Sequence, residues 1–147
     1  MGESEAYVEY DYGDPLRKGG CVIGLRGCIG PSYRYRVEGG YLRVGYRTVD
    51  QRGRRIHGRV VYLETNSSHY RTAGDLGVGT KIPFGKRYGV FRGELCGPGD
   101  HAWTAGTSWR KPLWKNGRNR WWTRLYVNRG VVREIVIWRG DVSLQGC

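Results

Sequence analysis

The chain has 147 residues, 39% of them apolar, which is enough for one domain with a real core. No run approaches the roughly 20 apolar residues a membrane helix needs, and 25 glycines without a three-residue period exclude a collagen. Lys and Arg number 25 against 13 Asp and Glu, so the chain should attract anionic partners with a strong dependence on salt.

The charge is unevenly spread. The first 14 residues hold Glu3, Glu5, Glu9, Asp11 and Asp14 and no Lys or Arg, which leaves 25 basic and 8 acidic side chains in the remainder. Twenty of the 25 are arginine, whose planar fork suits phosphate, sulfate or carboxylate. Residues 1–20 read as an acidic, polar arm. The opening MGESEAYVEYDYGD has neither the basic nor the apolar region of a signal peptide. Residues 21–147 read as a single β-rich domain.

A short apolar piece, CVIGL (21–25), opens that domain. SYRYRV (32–37) alternates Tyr33, Tyr35 and Val37 with Arg34 and Arg36, the period of a strand with one buried face. YLRVGYRTV (41–49) sets Leu42, Val44, Tyr46 and Thr48 on one face and Arg43 and Arg47 on the other. A turn at 50–54 leads into RRIHGRVVYLET (54–65), which completes a hairpin and carries Gly58 as a candidate bulge.

Residues 65–85, TNSSHYRTAGDLGVGTKIPFG, read as a hinge or turn. Gly74 to Lys81 is close to a phosphate-binding loop, but Thr80 precedes Lys81, and Pro83 and Gly85 interrupt any following helix. Gly77 and Gly79 are expected to supply positive φ at a chain reversal. Asn66-Ser67-Ser68 matches a glycosylation acceptor and marks an exposed turn. FGKRYGVF (84–91) is the one helical piece expected, and a Gly-rich polar stretch follows to Trp109. WWTRLYV (121–127) and VVREIVIW (131–138) form a second hairpin, with Asn128 and Gly130 where the turn needs φ > 0. GRRIHGRVVYL (53–63) and GVVREIVIW (130–138) resemble each other, so a two-fold internal quasi-repeat is expected. The fold class is β-rich α+β, mainly antiparallel hairpins with at most one short helix.

Cys21, Cys28, Cys96 and Cys147 have no zinc-finger spacing, and no metal or cofactor is expected. An even count in a small, Gly-rich basic chain fits two disulfides in an oxidising compartment. Of three connectivities, Cys21–Cys28 and Cys96–Cys147 are favoured; four reduced thiols in a cytosolic protein are the alternative.

Three patterns could carry chemistry. Trp109, Arg110, Lys111, Trp114, Lys115, Arg118 and Arg120, with Trp121, Trp122 and Arg124, interleave cations and indoles, and no acid lies between Asp100 and Glu134. Such a surface suits single-stranded nucleic acid or anionic sugars. Its alternative is a structural one, with Trp in the core and Arg stacked on it. His69, beside Tyr70 and Arg71, could do acid–base work with Glu64 or Glu94. His101, near Cys96 and Asp100, could form a nucleophile pair that a disulfide on Cys96 would abolish.

The stretch from Gly77, Val78 and Gly79 to Tyr88 and Gly89, with the GVVREIVI strand, resembles small secreted bacterial domains. These are of the β-lactamase inhibitor protein and SmpA-type outer-membrane lipoprotein kind, and the likeness spans residues 71–138. That resemblance implies a helix entry followed by an antiparallel sheet and a non-catalytic, protein-binding role.

The expected function is therefore a non-catalytic, secreted or periplasmic binding module. Its basic Trp/Arg face, from the 109–124 patch with Arg34, Arg36, Arg43 and Arg47, meets an anionic partner: an acidic protein, a cell-wall polymer or a nucleic acid. Two alternatives stand beside it. One is a small basic hydrolase or nuclease using His69 or His101. The other is an assembly subunit docked, and self-associating, through the acidic arm.

Overall fold

The computed structural model describes residues 5–24, 27–72, 75–82, 92–97, 100–106, 121–140 and 142. It holds one helix, α1 (Glu5–Tyr12), and eight strands: β1 (Arg17–Gly24), β2 (Gly27–Val37), β3 (Gly40–Gln51), β4 (Arg54–Thr65), β5 (Arg92–Gly97), β6 (Asp100–Gly106), β7 (Trp121–Asn128) and β8 (Val131–Arg139). All eight form one antiparallel sheet in the order β1-β2-β3-β4-β8-β7-β6-β5. Two four-stranded meanders thus meet through their last strands, with Tyr62 opposite Trp138 and Leu63 opposite Ile137.

The β-rich class expected from the sequence is what forms, and β3–β4 and β7–β8 are the hairpins read from period-2 alternation. The described helix is not at 84–91, which lies outside the described residues, but in the acidic stretch. EAYVEYDY has no apolar stripe, so local pattern does not announce it. Tertiary contacts hold it: Val8 is buried with Tyr33, Tyr35, Leu42, Val44, Tyr46 and Val60, and Glu9 meets Lys18 at 3.3 Å.

Both strong hairpins turn on an Arg-Gly pair. Arg52 (φ 54°) and Gly53 (φ 75°) close β3–β4, and Arg129 (φ 50°) and Gly130 (φ 75°) close β7–β8. Positive φ at both central residues matches the right-handed twist of the strands. Arg129, rather than Asn128, takes the first left-handed position, and Asn128 pairs with Val131 instead. Gly58 falls where the β3–β4 register shifts, and a Cβ there would meet the Arg47 carbonyl oxygen at 2.9 Å.

The sheet has two unlike faces. The helix face carries the α1 cluster and a second one of Ile82, Leu125, Val127, Val132 and Ile135. On the opposite face, Val22 and Val142 pack with Val61, Val136, Trp122 and Trp138. Gly45 makes that approach possible, because a Cβ there would lie 2.3 Å from the Val22 side chain. A Cys21–Cys28 disulfide staples the β1–β2 end beside Val22, with Cα atoms 5.7 Å apart. The expected Cys96–Cys147 pairing involves residue 147, outside the described residues. Among the described residues no helix is long and apolar enough to cross a membrane.

Candidate functional site

Strict alternation and cross-strand register sort the face opposite α1 into three rows. The first runs Ser32, Gly45, Tyr62, Trp138, Trp122. The second runs Arg34, Arg43, Glu64, Val136, Arg124. The third contains Arg36 opposite Tyr41 and, across β8 and β7, Glu134 opposite Tyr126. The first row is closed over by Val22 and Val142, and its indoles Trp122 and Trp138 stack at 6.3 Å. The second and third rows form the arginine face.

Here cations lie on rings. The Arg34 guanidinium sits 4.2 Å from the Tyr41 centroid, Arg43 lies 5.7 Å from that of Tyr62, and Arg124 lies 5.9 Å from Tyr126 and 5.8 Å from Trp138. A guanidinium within about 6 Å of an aromatic centroid is attracted to the negative face of the ring. Arg34 and Arg36 are exposed, while Arg43 and Arg124 are half-buried.

The two acids of this face are occupied within it. Glu64 accepts from the Tyr41 hydroxyl at 2.8 Å, the Tyr62 hydroxyl at 2.6 Å and Arg43 Nη1 at 3.2 Å. Arg43 Nε in turn donates to Ser32 Oγ at 3.0 Å. The Tyr41 hydroxyl also lies 3.2 Å from Glu134 Oε2. Burial, then the neighbouring Glu64 charge, holds the Glu134 carboxyl above the ordinary carboxylate range. Burial and the Glu64 contact likewise push the Tyr41 and Tyr62 hydroxyls up, so both remain donors.

Of the residues expected to bind, Arg34, Arg36 and Arg43 share this face. Arg47 falls in the register shift between Tyr46 and Thr48 and is half-buried, apart from the rows. Trp109, Arg110, Lys111, Trp114, Lys115, Arg118 and Arg120 lie outside the described residues. Arg124, the last cation of the expected 109–124 patch, lies on this face, and Tyr41, Tyr62 and Tyr126 join it through register, which the strands' own alternation does not give.

The histidine readings meet a different geometry. His69 is exposed, with Nδ1 3.9 Å from Glu38, which is itself 88% exposed. Glu64, expected as its partner, is instead held by Arg43, Tyr41 and Tyr62. His101 and Cys96 lie in β6 and β5, and their side chains fall outside the described set. His57, not singled out from sequence, bonds Glu5 of α1 through Nδ1, with the Tyr33 hydroxyl 3.1 Å from the same nitrogen. Burial and then the Glu5 charge push that hydroxyl up to about 12. This trio fastens α1 to the sheet.

Among the described residues 75–82, the loop amides do not form a phosphate cradle. Gly79 N–H donates to the Val132 carbonyl, Ile82 N–H to that of Gly130, and Gly77 N–H to Thr80 Oγ1. Donors committed to carbonyls and a hydroxyl cannot also circle an anion. Gly79 has φ 91°, as expected, but Gly77 does not have positive φ. Gly77 is there for space, since a Cβ would meet Arg71 Cγ at 2.8 Å and the Tyr70 carbonyl at 2.9 Å. In the Asn-Ser-Ser turn, Asn66 and Ser68 are exposed, while Ser67 is fully buried and bonds the Glu38 carbonyl. Among the described residues no three His, Cys, Asp or Glu side chains are grouped to hold a metal.

No protein-family model matches the chain, and it matches neither a known protein nor a solved structure.

Proposed function

We propose that the chain is a non-catalytic, extracytoplasmic binding module that grips an anionic partner, such as an acidic protein, a cell-wall polymer or a nucleic acid, on its arginine face. One observation carries this reading: Arg34, Arg36, Arg43 and Arg124 stand on one side of the sheet, three of them over tyrosine or tryptophan rings. Arg34, 4.2 Å from the Tyr41 ring centroid, is held by that contact and loses less freedom when it meets an anion. Glu64 is neutralised by Arg43 and hydrogen-bonded by Tyr41 and Tyr62, so the exposed cations Arg34 and Arg36 carry the main attraction for an incoming anion. The excess of 25 basic over 13 acidic side chains adds a long-range attraction. The Cys21–Cys28 bridge supports a place in an oxidising compartment.

Salt elution from immobilised heparin and from phosphocellulose tests the reading. Retention that falls steeply with salt and weakens in an Arg34→Ala/Arg36→Ala variant is expected. Equal retention of the variant would remove the arginine face from the account.

A further inference from the structure

On the opposite side of the sheet lies a cavity of about 490 Å³. Its floor is aliphatic: Leu42 and Val44 from β3, Val60 and Leu63 from β4, and Ile135 and Ile137 from β8. α1 supplies Val8 and Tyr12 as a wall. The space opens to solvent on one side, so it is a cleft between α1 and the sheet that a guest can enter. Its size falls within the range of small-molecule sites, which combine apolar walls with a few polar groups.

The polar groups narrow the ligand class. Asp11 and Arg71 bring one charge of each sign to the lining, so the lining favours neither anion nor cation. The Tyr12 and Tyr70 hydroxyls lie 3.4 Å apart at the lining, and a hydroxyl can donate to an acceptor on a guest. Burial, followed by the Tyr12 contact, pushes the Tyr70 hydroxyl up and keeps it protonated. We infer that the cavity is a binding site for a small, uncharged, mainly apolar molecule with one hydrogen-bond acceptor. An apolar guest would displace water from aliphatic walls that give it no hydrogen bonds. Because Val8 and Tyr12 belong to α1, a guest also tightens the docking of a helix already fastened by Glu5 to His57 and by Glu9 to Lys18. The site faces away from the arginine rows, so neither proposal depends on the other.

The test uses 6-propionyl-2-(dimethylamino)naphthalene, an uncharged fluorophore with an apolar body and one carbonyl acceptor. Three results are expected with the full chain: saturable binding of one dye per chain, methyl-signal shifts at Leu42, Val44, Val60, Leu63, Ile135 and Ile137, and slower amide exchange in α1. Leu63→Trp, which fills the floor, should weaken binding about tenfold or more, whereas Arg34→Ala should not. If Leu63→Trp lacks a cooperative unfolding transition, Thr123→Trp at the cavity lining is read in its place. The proposal is overturned by an absence of saturable binding, by methyl shifts confined to the surroundings of Trp122 and Trp138, or by a folded filling variant that binds as the parent does.

Discussion

Arg43 and Glu64 face each other directly across β3 and β4, with Nη1 3.2 Å from Oε2 and side chains 30% and 10% exposed. The pair organises the arginine face, since Glu64 also anchors Tyr41 and Tyr62. Arg43→Ala should therefore cost about 2 kcal/mol, because it strands a buried carboxylate. Adding Glu64→Gln should recover part of that loss. Urea denaturation of the single and double variants reads both effects.

A second prediction concerns pH. Glu134 has a raised carboxyl pKa, so its proton is held more tightly in the folded state than in the unfolded chain. Stability from this group is fully present below the unfolded carboxyl pKa and is lost as pH rises through the folded value. Glu134→Gln should therefore raise the melting temperature at about pH 7, and the gain should disappear on acidification below about pH 4. A gain that persists unchanged in acid would show that the carboxyl does not titrate in this way.

The disulfide closes a short loop, with a sequence separation of 7. Removing it by Cys21→Ser/Cys28→Ser should cost about 2 kcal/mol through unfolded-chain entropy. It should also loosen Val22 from the Trp122–Trp138 stack, because the bridge begins one residue before Val22. Tryptophan emission shifting to longer wavelength in the variant would report that loosening.

The turns give a stabilising prediction. Arg52 and Arg129 hold φ of 54° and 50°, a region that asparagine tolerates better than arginine. Arg129→Asn should add roughly 0.5–1 kcal/mol of stability without touching the sheet faces. A thermal melt compares it with the parent.

What the sequence reveals, and what it hides, follows from where the physics is local. Tyr33, Tyr35, Leu42 and Val44 alternate with Arg34, Arg36 and Arg43, so β2, β3 and the sidedness of three arginines are legible from period alone. β5 and β6 are not, because RGELCG and DHAWTAG are short and glycine-bearing, and β6 draws its pairing from β7 and β5 from β6. β1 escapes notice because Gly19 and Gly20 adopt φ of 133° and 93°, which no alternation encodes. α1 depends on Val8 and on the Glu5–His57 contact across 52 residues. Arg124 and Tyr126 reach the arginine face only through the β4–β8–β7 register, which is a long-range property. The same holds for Glu64, which the sequence offers as an acid–base partner of His69 and which the sheet holds against Arg43 instead.

An amide-shift titration of the labelled chain with a heparin oligosaccharide at two ionic strengths locates the anion on the sheet. Salt-sensitive shifts centred on Arg34, Arg36, Tyr41, Arg43 and Arg124 are expected. Shifts centred on α1 and the cavity side, with those residues unmoved, would contradict an anion site on the arginine face, as would binding that ignores salt.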